Sequence, residues 1–468
     1  MICFSCIGVL MPQEQDVTSR ITKFDGLLAD WIPPRDTWSP ADEAIYKPVD
    51  LFRVPVEEAR DMQLKAIKFA FTNHYSNNKF YHKYCQEENI RPDDIKTVDD
   101  LDTIPLIPDT DFKQHPSGRD FALWLATVFT GELPNIVIKG ANPTFDDVIN
   151  AFNAAGITVT YSSGTSGLLT VIPRDMKTLK AAQYAFAKLA TNMLDLFVDH
   201  ALICFPNPAK TNLFISKTMS TIAKPSKNVH YAFDVDIPAE LTQRAMRANT
   251  KPKGAADSSS QNDMQQRIVD QVVQWLEHYD RTKETFSLTG PPFLLVHVMN
   301  KLQKEGKRFD FGERGTVMTG GGWRLFENAR IPLVDFRKQV HDVLGIPETH
   351  CVDGYAMTEG NALMMQCPEG HYFHAPYTYF RPLVVDDNLK PVGYGEWGRF
   401  AFFDALAGSY PGFIISGDRV RLLERCPVCD RPGPVLEPDV QRAKGAESRG
   451  CAEVMKSVLA EEGTKRPR

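Results

Sequence analysis

Apolar and aromatic residues recur at helical spacing in the first part of the chain. Across residues 56–88 they fall every three or four positions, and the polar string Ser76-Asn-Asn78 interrupts the pattern. Because polar residues between two periodic segments are typical of a turn, this region predicts a helical hairpin. We expect the hairpin to pack, as a preamble, on a larger domain.

Short apolar runs alternate with helical patterns in the middle of the chain. The runs lie at residues 157–161 and 201–205, and the helical patterns lie at residues 178–196 and 263–279. Strands that alternate with helices predict an α/β fold whose sheet is mostly parallel. The polar segment 251–262 has no periodicity and predicts a flexible loop.

Three further apolar runs, which begin near Phe286, Thr316 and Cys351, each lead into a turn before a helical pattern. Open α/β sheets bind ligands at the carboxyl ends of their strands, so these turns are the expected place for a site. After residue 387 the chain changes to short strands with tight turns, which predicts a smaller β-rich region.

The composition is that of a globular protein with balanced charge. The 468 residues include 53 Lys and Arg and 59 Asp and Glu, and the formal net charge is −6. This balance gives no support for nucleic-acid binding, and no apolar run reaches the roughly 18–20 residues of a membrane span. The nine cysteines are an odd number, which argues against a disulfide framework. We therefore expect a reducing compartment, by default the cytoplasm.

A string rich in serine and glycine follows the first predicted strand, at residues 161–167 (Tyr-Ser-Ser-Gly-Thr-Ser-Gly). Glycines allow consecutive backbone N–H groups to face an anion, and hydroxyl groups add donors, so this composition suits a polyphosphate. It is not a Walker loop, because no Gly-Lys-Ser/Thr follows. Taken alone, such a string is more often a plain turn.

A second string, at residues 353–360, contains an aromatic ring at Tyr355, a hydroxyl at Thr358 and a carboxylate at Glu359. An aromatic ring can stack on a base, a hydroxyl can bind a phosphate oxygen, and a carboxylate can hold Mg²⁺ between phosphates. The alternative for this string alone is a strand end followed by a capped helix.

These strings occur together with residues 319–324 (Thr-Gly-Gly-Gly-Trp-Arg) and 415–419 (Ile-Ser-Gly-Asp-Arg), in the order and at the separations of adenylate-forming ligases. The sequence resembles the phenylacetate-CoA-ligase-like branch of that superfamily, and more closely the LuxE family of acyl-protein synthetases. That family supplies fatty acyl groups to the reductase of bacterial luminescence. The resemblance extends from about Val56 to Arg449.

The resemblance implies an α/β, adenylate-forming fold with a large amino-terminal domain, a β-rich subdomain and a truncated carboxyl-terminal domain. We expect a variable segment at residues 1–50, an adenylation domain with its helical preamble at 51–420, and a short carboxyl-terminal segment at 421–468. The first ten residues are apolar but lack the basic flank of a signal peptide. We interpret them as an irregular terminus, such as a start site placed upstream of Met11, rather than as a signal peptide.

The resemblance also implies a complete ATP site. The residues that it assigns to the nucleotide are Ser162, Ser163, Gly164, Thr165, Ser166 and Gly167 for the phosphates, Gly320, Gly321, Gly322 and Tyr355 for the adenine, and Asp418 for the ribose. Thr358 would contact the α-phosphate and Glu359 would hold Mg²⁺. A carboxylate suits the ribose because it can accept two hydroxyl hydrogen bonds at once.

The implied reaction begins when a substrate carboxylate attacks the α-phosphorus of ATP, which gives an acyl-adenylate and pyrophosphate. A thiol then accepts the acyl group. The basic residues that are candidates for the first step are Lys210, Arg324 and Arg419, and Lys444 by a weaker alignment.

Two cysteine-containing strings predict a structural zinc site. Cys426-Pro-Val-Cys429 has the spacing of a metal knuckle, and residues 367–374 add Cys367 with His371 and His374. We expect Cys367, His374, Cys426 and Cys429 to bind the ion, with His371 as the alternative fourth ligand. A redox-active pair of thiols and buried cysteines without a metal are the alternatives to a zinc site.

Cys451 is the candidate acyl acceptor, because acyl-protein synthetases carry a similar cysteine near the carboxyl terminus. Arg449 and Lys456 would favour its thiolate; the alternative is an ordinary surface cysteine. The few residues after Asp418 favour a protein thiol over CoA as acceptor, and a partner such as a reductase could receive the acyl group. An acid-CoA ligase and a non-catalytic, zinc-stabilised scaffold are the alternative functions.

Overall fold

The computed structural model describes residues 12–162, 169–234, 236–240, 242, 255–323 and 330–443. The described helices are α1 (Pro12–Leu27), α2 (Pro40–Tyr46), α3 (Val56–Asn77), α4 (Lys79–Glu87), α5 (Gly118–Val128), α6 (Phe145–Ala154), α7 (Met176–Met193), α8 (Phe214–Ile222), α9 (Ala255–Thr282), α10 (Pro292–Lys304) and α11 (Leu333–Leu344). None of them is long and apolar enough to cross a membrane.

The described strands are β1 (Ile107–Pro108), β2 (Ile157–Tyr161), β3 (Val171–Asp175), β4 (His200–Pro206), β5 (Asn228–Phe233), β6 (Phe286–Gly290), β7 (Gly315–Gly320), β8 (Cys351–Tyr355), β9 (Met364–Gln366), β10 (Phe373–His374), β11 (Phe380–Val385), β12 (Trp397–Asp404), β13 (Phe413–Leu423), β14 (Val435–Leu436) and β15 (Gln441–Arg442). Thirteen of them form one sheet. Eleven of these are neighbours in the order β11-β12-β13-β14-β10-β9-β8-β7-β6-β4-β5, and the other two, β1 and β15, both pair with β13.

The sheet is parallel in one part and antiparallel in the other. Strands β5, β4, β6, β7 and β8 are parallel neighbours. From β8 to β11 in the sheet order, neighbouring strands pair antiparallel. The predicted α/β fold with a later β-rich region is therefore confirmed.

The side chains of β4 show how helices cover both faces of the parallel strands. Leu202 and Cys204 belong to an apolar core that includes buried residues of α9, α10 and α11. Ala201, Ile203 and Phe205 face a second core, which includes buried residues of α7 and α8. A parallel strand that is buried on both faces has a continuous run of apolar residues, as β4 does.

The predicted helical hairpin is confirmed as α3 and α4. The preceding helix α1 packs on α7, where the Tyr184 hydroxyl donates a hydrogen bond of 2.6 Å to Asp25 and the Arg20 guanidinium donates one of 2.9 Å to the Thr191 carbonyl. Residues from the predicted variable segment therefore contact the α/β core. The boundaries 1–50, 51–420 and 421–468 stay predictions.

The predicted strand at residues 157–161 exists but does not belong to the large sheet. This strand, β2, pairs antiparallel with β3 in a separate two-stranded sheet, with Tyr161 opposite Val171. The two strands flank residues 163–168, which lie outside the described residues. A parallel partner needs a crossover of about a dozen residues or more, whereas an antiparallel partner needs only a short connection.

Two other predictions are wrong in part. Helix α9 begins at Ala255, so the described part of the predicted loop 251–262 is helical. These polar residues form the first turns of a helix whose later residues Val272 and Leu276 are buried. After β8 the antiparallel strand β9 follows instead of a helix. The cause is the apolar string at residues 362–365, whose four side chains are all buried beside β8.

Candidate functional site

A cavity of about 550 Å³ lies at the carboxyl ends of β6, β7 and β8. The predicted residues that line it are Ser162, Gly320, Gly321, Gly322, Tyr355, Thr358, Glu359 and Asp418. The predicted residues that lie outside the described part of the chain are Ser163, Gly164, Thr165, Ser166, Gly167 and Cys451. The structure therefore brings every described residue of the predicted nucleotide site to one cavity.

The turn after β7 requires glycine at two positions. Gly321 and Gly322 have φ angles of 79° and 64°, in the left-handed region that residues with a side chain rarely adopt. A Cβ atom on the preceding Gly320 would lie 3.4 Å from the Gly354 carbonyl oxygen. The three glycines therefore give the cavity a wall of bare backbone that a flat ring can approach closely.

Glu359 is a buried carboxylate on the wall of the cavity. The Thr170 hydroxyl donates a hydrogen bond of 2.8 Å to its Oε1, and the same oxygen lies 3.9 Å from Lys113 Nζ. Burial raises the pKa of Glu359, while the positive charge of Lys113 lowers it. The protein therefore holds Oε1 of this carboxylate at the wall of the cavity.

The segment that carries Thr358 and Glu359 is anchored by a buried arginine on β3. Arg174 Nη2 donates a hydrogen bond of 2.6 Å to the Thr358 carbonyl, and Nε donates one of 3.1 Å to Asn361 Oδ1. The Tyr410 hydroxyl donates a hydrogen bond of 2.9 Å to the Glu359 carbonyl. Side chains behind the cavity thus fix the backbone at both residues.

Tyr355 and Asp418 are joined across the cavity. The Tyr355 hydroxyl donates a hydrogen bond of 2.7 Å to Asp418 Oδ2, and Arg442 Nη1 lies 2.8 Å from Asp418 Oδ1. Burial raises the pKa of Asp418, and the charge of Arg442 opposes that shift. The ring of Tyr355 is oriented by this bond and by its edge contact with Phe400.

Five charged residues that line the cavity were not predicted from the sequence, namely Asp109, Lys113, Arg330, Asp353 and Arg442. Burial raises the pKa of Asp353 to about 6, and the Thr319 hydroxyl, 2.7 Å away, lowers it. Asp109 follows β1, which pairs with β13 through Ile107 and Ile414. The string before Asp109 predicts only an extended connection, because nothing in it specifies the distant strand with which it pairs.

Two of the basic residues predicted from the sequence, Lys210 and Arg419, are described by the structure and do not line this cavity. Lys210 pairs with Asp234 at 3.3 Å and donates to the Asp234 carbonyl. The guanidinium of Arg419 lies 5.7 Å from the centre of the Trp397 ring. Arg324 and Lys444 lie outside the described residues.

A second site groups three thiols with one imidazole. The ligand atoms of Cys367, His374, Cys426 and Cys429 all lie within 4.8 Å of one another. Cys367 Sγ is 3.9 Å from Cys426 Sγ, and Cys429 Sγ is 3.3 Å from His374 Nε2. Bonded sulfur atoms lie about 2.05 Å apart, so these thiols are not a disulfide.

The distances in this cluster fit a tetrahedral metal. A zinc ion with bonds of about 2.3 Å to sulfur and about 2.0–2.1 Å to nitrogen separates its ligand atoms by about 3.6–3.8 Å. His374, and not the alternative His371, belongs to the cluster. The residues present therefore suit a closed Cys₃His site, which is the arrangement expected from the sequence.

Sequence comparison identifies relatives of this chain. The family model described as acyl-protein synthetase, LuxE, matches residues 254–460. The long-chain-fatty-acid–luciferin-component ligases of Aliivibrio fischeri and Vibrio harveyi are 23% and 22% identical to this chain. The predicted resemblance to the LuxE family is confirmed. The alignments cover 86% and 85% of this chain and 90% and 88% of these LuxE-type ligases, so both relatives match along most of their length.

Solved structures agree on the fold. Two structures of 2-hydroxyisobutyryl-CoA ligase, one in an open conformation and one in the thioesterification state, superpose with TM-scores of 0.55 and 0.57. Both structures are 16% identical to this chain. The first superposition covers 83% of this chain and 71% of the ligase, and the second covers 88% of this chain and 72% of the ligase. The predicted adenylate-forming fold is therefore confirmed.

Proposed function

We propose that this chain uses ATP to activate a long-chain fatty acid as an acyl-adenylate and then transfers the acyl group to a protein thiol. The observation that carries the proposal is the convergence of Gly320–Gly322, Tyr355, Glu359 and Asp418 on one cavity at the ends of parallel strands. The names of the LuxE-type relatives support the ligase chemistry and suggest both the acid and a protein acceptor.

The nucleotide would lie along the polar side of the cavity. Its adenine would rest between the glycine turn and Tyr355, and Asp418 would accept the ribose hydroxyl groups. Thr358 and Ser162 would donate hydrogen bonds to phosphate oxygens. Glu359 would hold Mg²⁺, which supplies positive charge to neutralise the phosphates when it is bound.

The acyl chain would occupy the apolar side of the same cavity. Its apolar lining residues include Phe186, Phe205, Phe214, Met219 and Leu363. These side chains can accept a hydrocarbon chain but offer no partners to a polar acid. A fatty acid with its carboxylate towards Thr358 and Glu359 therefore suits the distribution of polar and apolar walls.

The reaction has two steps. In the first, an oxygen of the fatty acid carboxylate forms a bond to the α-phosphorus, and the bond from that phosphorus to pyrophosphate breaks, so pyrophosphate leaves with the electron pair. In the second, a thiolate sulfur bonds to the acyl carbon, and AMP leaves with the electrons of the acyl–oxygen bond. The main contribution of the protein to the first step is position and charge.

Pyrophosphate exchange tests the first step. Because adenylation is reversible, the wild-type protein should transfer labelled pyrophosphate into ATP when a long-chain saturated acid is present. We expect the rate to increase with chain length along a series of acids, since longer chains bury more apolar surface. Reactions without acid are the control. If no acid supports exchange, the enzyme function is wrong and a scaffold role remains.

Cys451 is the proposed thiol, and mass spectrometry of the intact chain tests it. After incubation with ATP and the active acid, we expect an acyl adduct that neutral hydroxylamine removes. Cys451→Ser should lose the adduct and keep pyrophosphate exchange, whereas the control Cys6→Ser should keep both. An adduct that persists in Cys451→Ser, or acyl-CoA formation in place of any adduct, would contradict transfer to this residue.

We propose further that Cys367, His374, Cys426 and Cys429 hold a structural zinc ion. Four protein ligands leave no position for a substrate, so the ion would stabilise the fold. His374→Ala should lower the bound zinc from about one ion per chain to almost none, measured by plasma mass spectrometry. His371→Ala is the matched control and should keep its zinc, and equal losses from the two variants would contradict this set of ligands.

A further inference from the structure

A lysine that the motifs do not include lies in the candidate active site. Lys113 follows the short helical turn after β1, and its side chain is only 12% exposed. Its Nζ atom lies 2.5 Å from Asp109 Oδ2 and 3.9 Å from Glu359 Oε1. Both Asp109 and Lys113 line the cavity.

Lys113 lies between the residue proposed for the ribose, Asp418, and the residue proposed for the metal-bound phosphates, Glu359. Asp109 Oδ2 also accepts a hydrogen bond of 3.0 Å from the backbone N–H of Gly417, the residue before Asp418. Lys113 is therefore linked to the ribose side through Asp109 and approaches the metal side at Glu359. Its positive charge lowers the pKa of both Glu359 and Asp418, which burial raises. The α-phosphate is the part of ATP that joins the ribose to the metal-bound phosphates.

Two arginines that also line the cavity have other partners. Arg442 pairs with Asp418 at 2.8 Å, and Arg330 approaches Asp439 at 3.7 Å and the Val440 carbonyl at 3.4 Å. Lys113, in contrast, contacts the carboxylate assigned to Mg²⁺. Lysine is a compact, flexible point charge that can move from one anion to another over a short distance.

We propose that Lys113 is a catalytic residue of the adenylation step, in which its ammonium group moves from Asp109 to an oxygen of the α-phosphate. This inference rests on the proposed function. As the carboxylate oxygen bonds to the α-phosphorus and the bond to pyrophosphate breaks, negative charge on the α-phosphate oxygens is stabilised by Nζ. The lysine keeps its proton throughout, so no acid or base is consumed.

Lys113→Met tests the role by removing the charge and keeping much of the chain length. We expect kcat for pyrophosphate exchange to fall by about 100-fold or more, with a smaller change in KM for ATP, because the contact strengthens as charge develops. Lys113→Arg should recover part of kcat. Lys210→Met is the matched control, since Lys210 does not line the cavity, and it should exchange at the wild-type rate.

A double variant separates catalysis from simple charge balance. If Lys113 only neutralises Asp109, Lys113→Met combined with Asp109→Asn should restore exchange, and that result would overturn the proposal. A catalytic lysine predicts that the double variant stays as slow as Lys113→Met while its urea midpoint matches that of wild type. If the wild type exchanges pyrophosphate and Lys113→Met does so with the same kcat, the role of Lys113 is wrong and the proposed function stands. If the wild type itself does not exchange pyrophosphate, the proposed function is wrong.

Discussion

Replacing Glu359 with Gln should lower the rate of pyrophosphate exchange by about 10²–10³-fold. A metal that bridges phosphates contributes several kcal/mol of charge stabilisation, and each 1.36 kcal/mol corresponds to about a factor of ten. Glutamine keeps the size of the side chain and its acceptor for the Thr170 hydroxyl, which is 2.8 Å from the carboxylate. The expected loss is therefore of Mg²⁺ affinity and of rate, measured as exchange against Mg²⁺ concentration.

The matched control for this prediction is Glu313→Gln, which makes the same chemical change at a side chain that is 81% exposed. It should not alter the rate or the dependence on Mg²⁺. Glu359→Asp keeps the charge on a shorter side chain and should give an intermediate rate that rises with added Mg²⁺. Equal rates for Glu359→Gln and the wild type would show that this carboxylate does not bind the metal.

The alternation of apolar and polar positions predicts most of the elements but not all of their partners. The run at 201–205 becomes β4 because its residues must be buried on both faces of a parallel sheet. Strand β2, most of whose side chains are also buried, instead pairs with β3 in a separate sheet. A strand's partner depends on which other segment reaches it first and packs best, and a local pattern contains no such information.

The residues of the candidate site also divide into those that a local sequence pattern predicts and those that it does not. Tyr355, Thr358 and Glu359 are predictable because they lie in one short string at the end of one strand, and the metal cluster is predictable because each of its two strings is a local pattern of cysteine and histidine. Lys113 and Asp109 could not be found in that way. They reach the cavity through the pairing of β1 with β13, whose residues are far apart along the chain.

The metal cluster and the cavity are connected through neighbouring strands. Gln366 precedes Cys367, and its Oε1 accepts a hydrogen bond of 3.0 Å from the Asp353 backbone N–H at the wall of the cavity. Cys426 follows β13, the strand that carries Asp418. An ion in the cluster would therefore hold together the strands that carry the proposed adenine and ribose contacts.

Arg174 stabilises the site from behind, and its removal should have the largest effect on stability. Its guanidinium is buried, lies 3.9 Å from the centre of the Phe214 ring and bonds to Thr160, Asn361 and the Thr358 carbonyl. Arg174→Met should lower the free energy of unfolding by about 3–5 kcal/mol, because it leaves the buried carboxyl of Asp404 and several acceptors without this positive charge. Urea unfolding measures the loss.

Arg421→Met is the control for Arg174→Met, because Arg421 pairs with an acidic residue, Glu437, but keeps 38% of its side chain exposed. Pairs in contact with water contribute about 0–1 kcal/mol, so this variant should unfold close to the wild type. The folded fraction of Arg174→Met should also exchange pyrophosphate slowly, since the backbone of Thr358 loses its anchor. Equal unfolding midpoints for the two variants would contradict the stabilising role. Normal exchange by folded Arg174→Met would show that other contacts position Thr358 and Glu359.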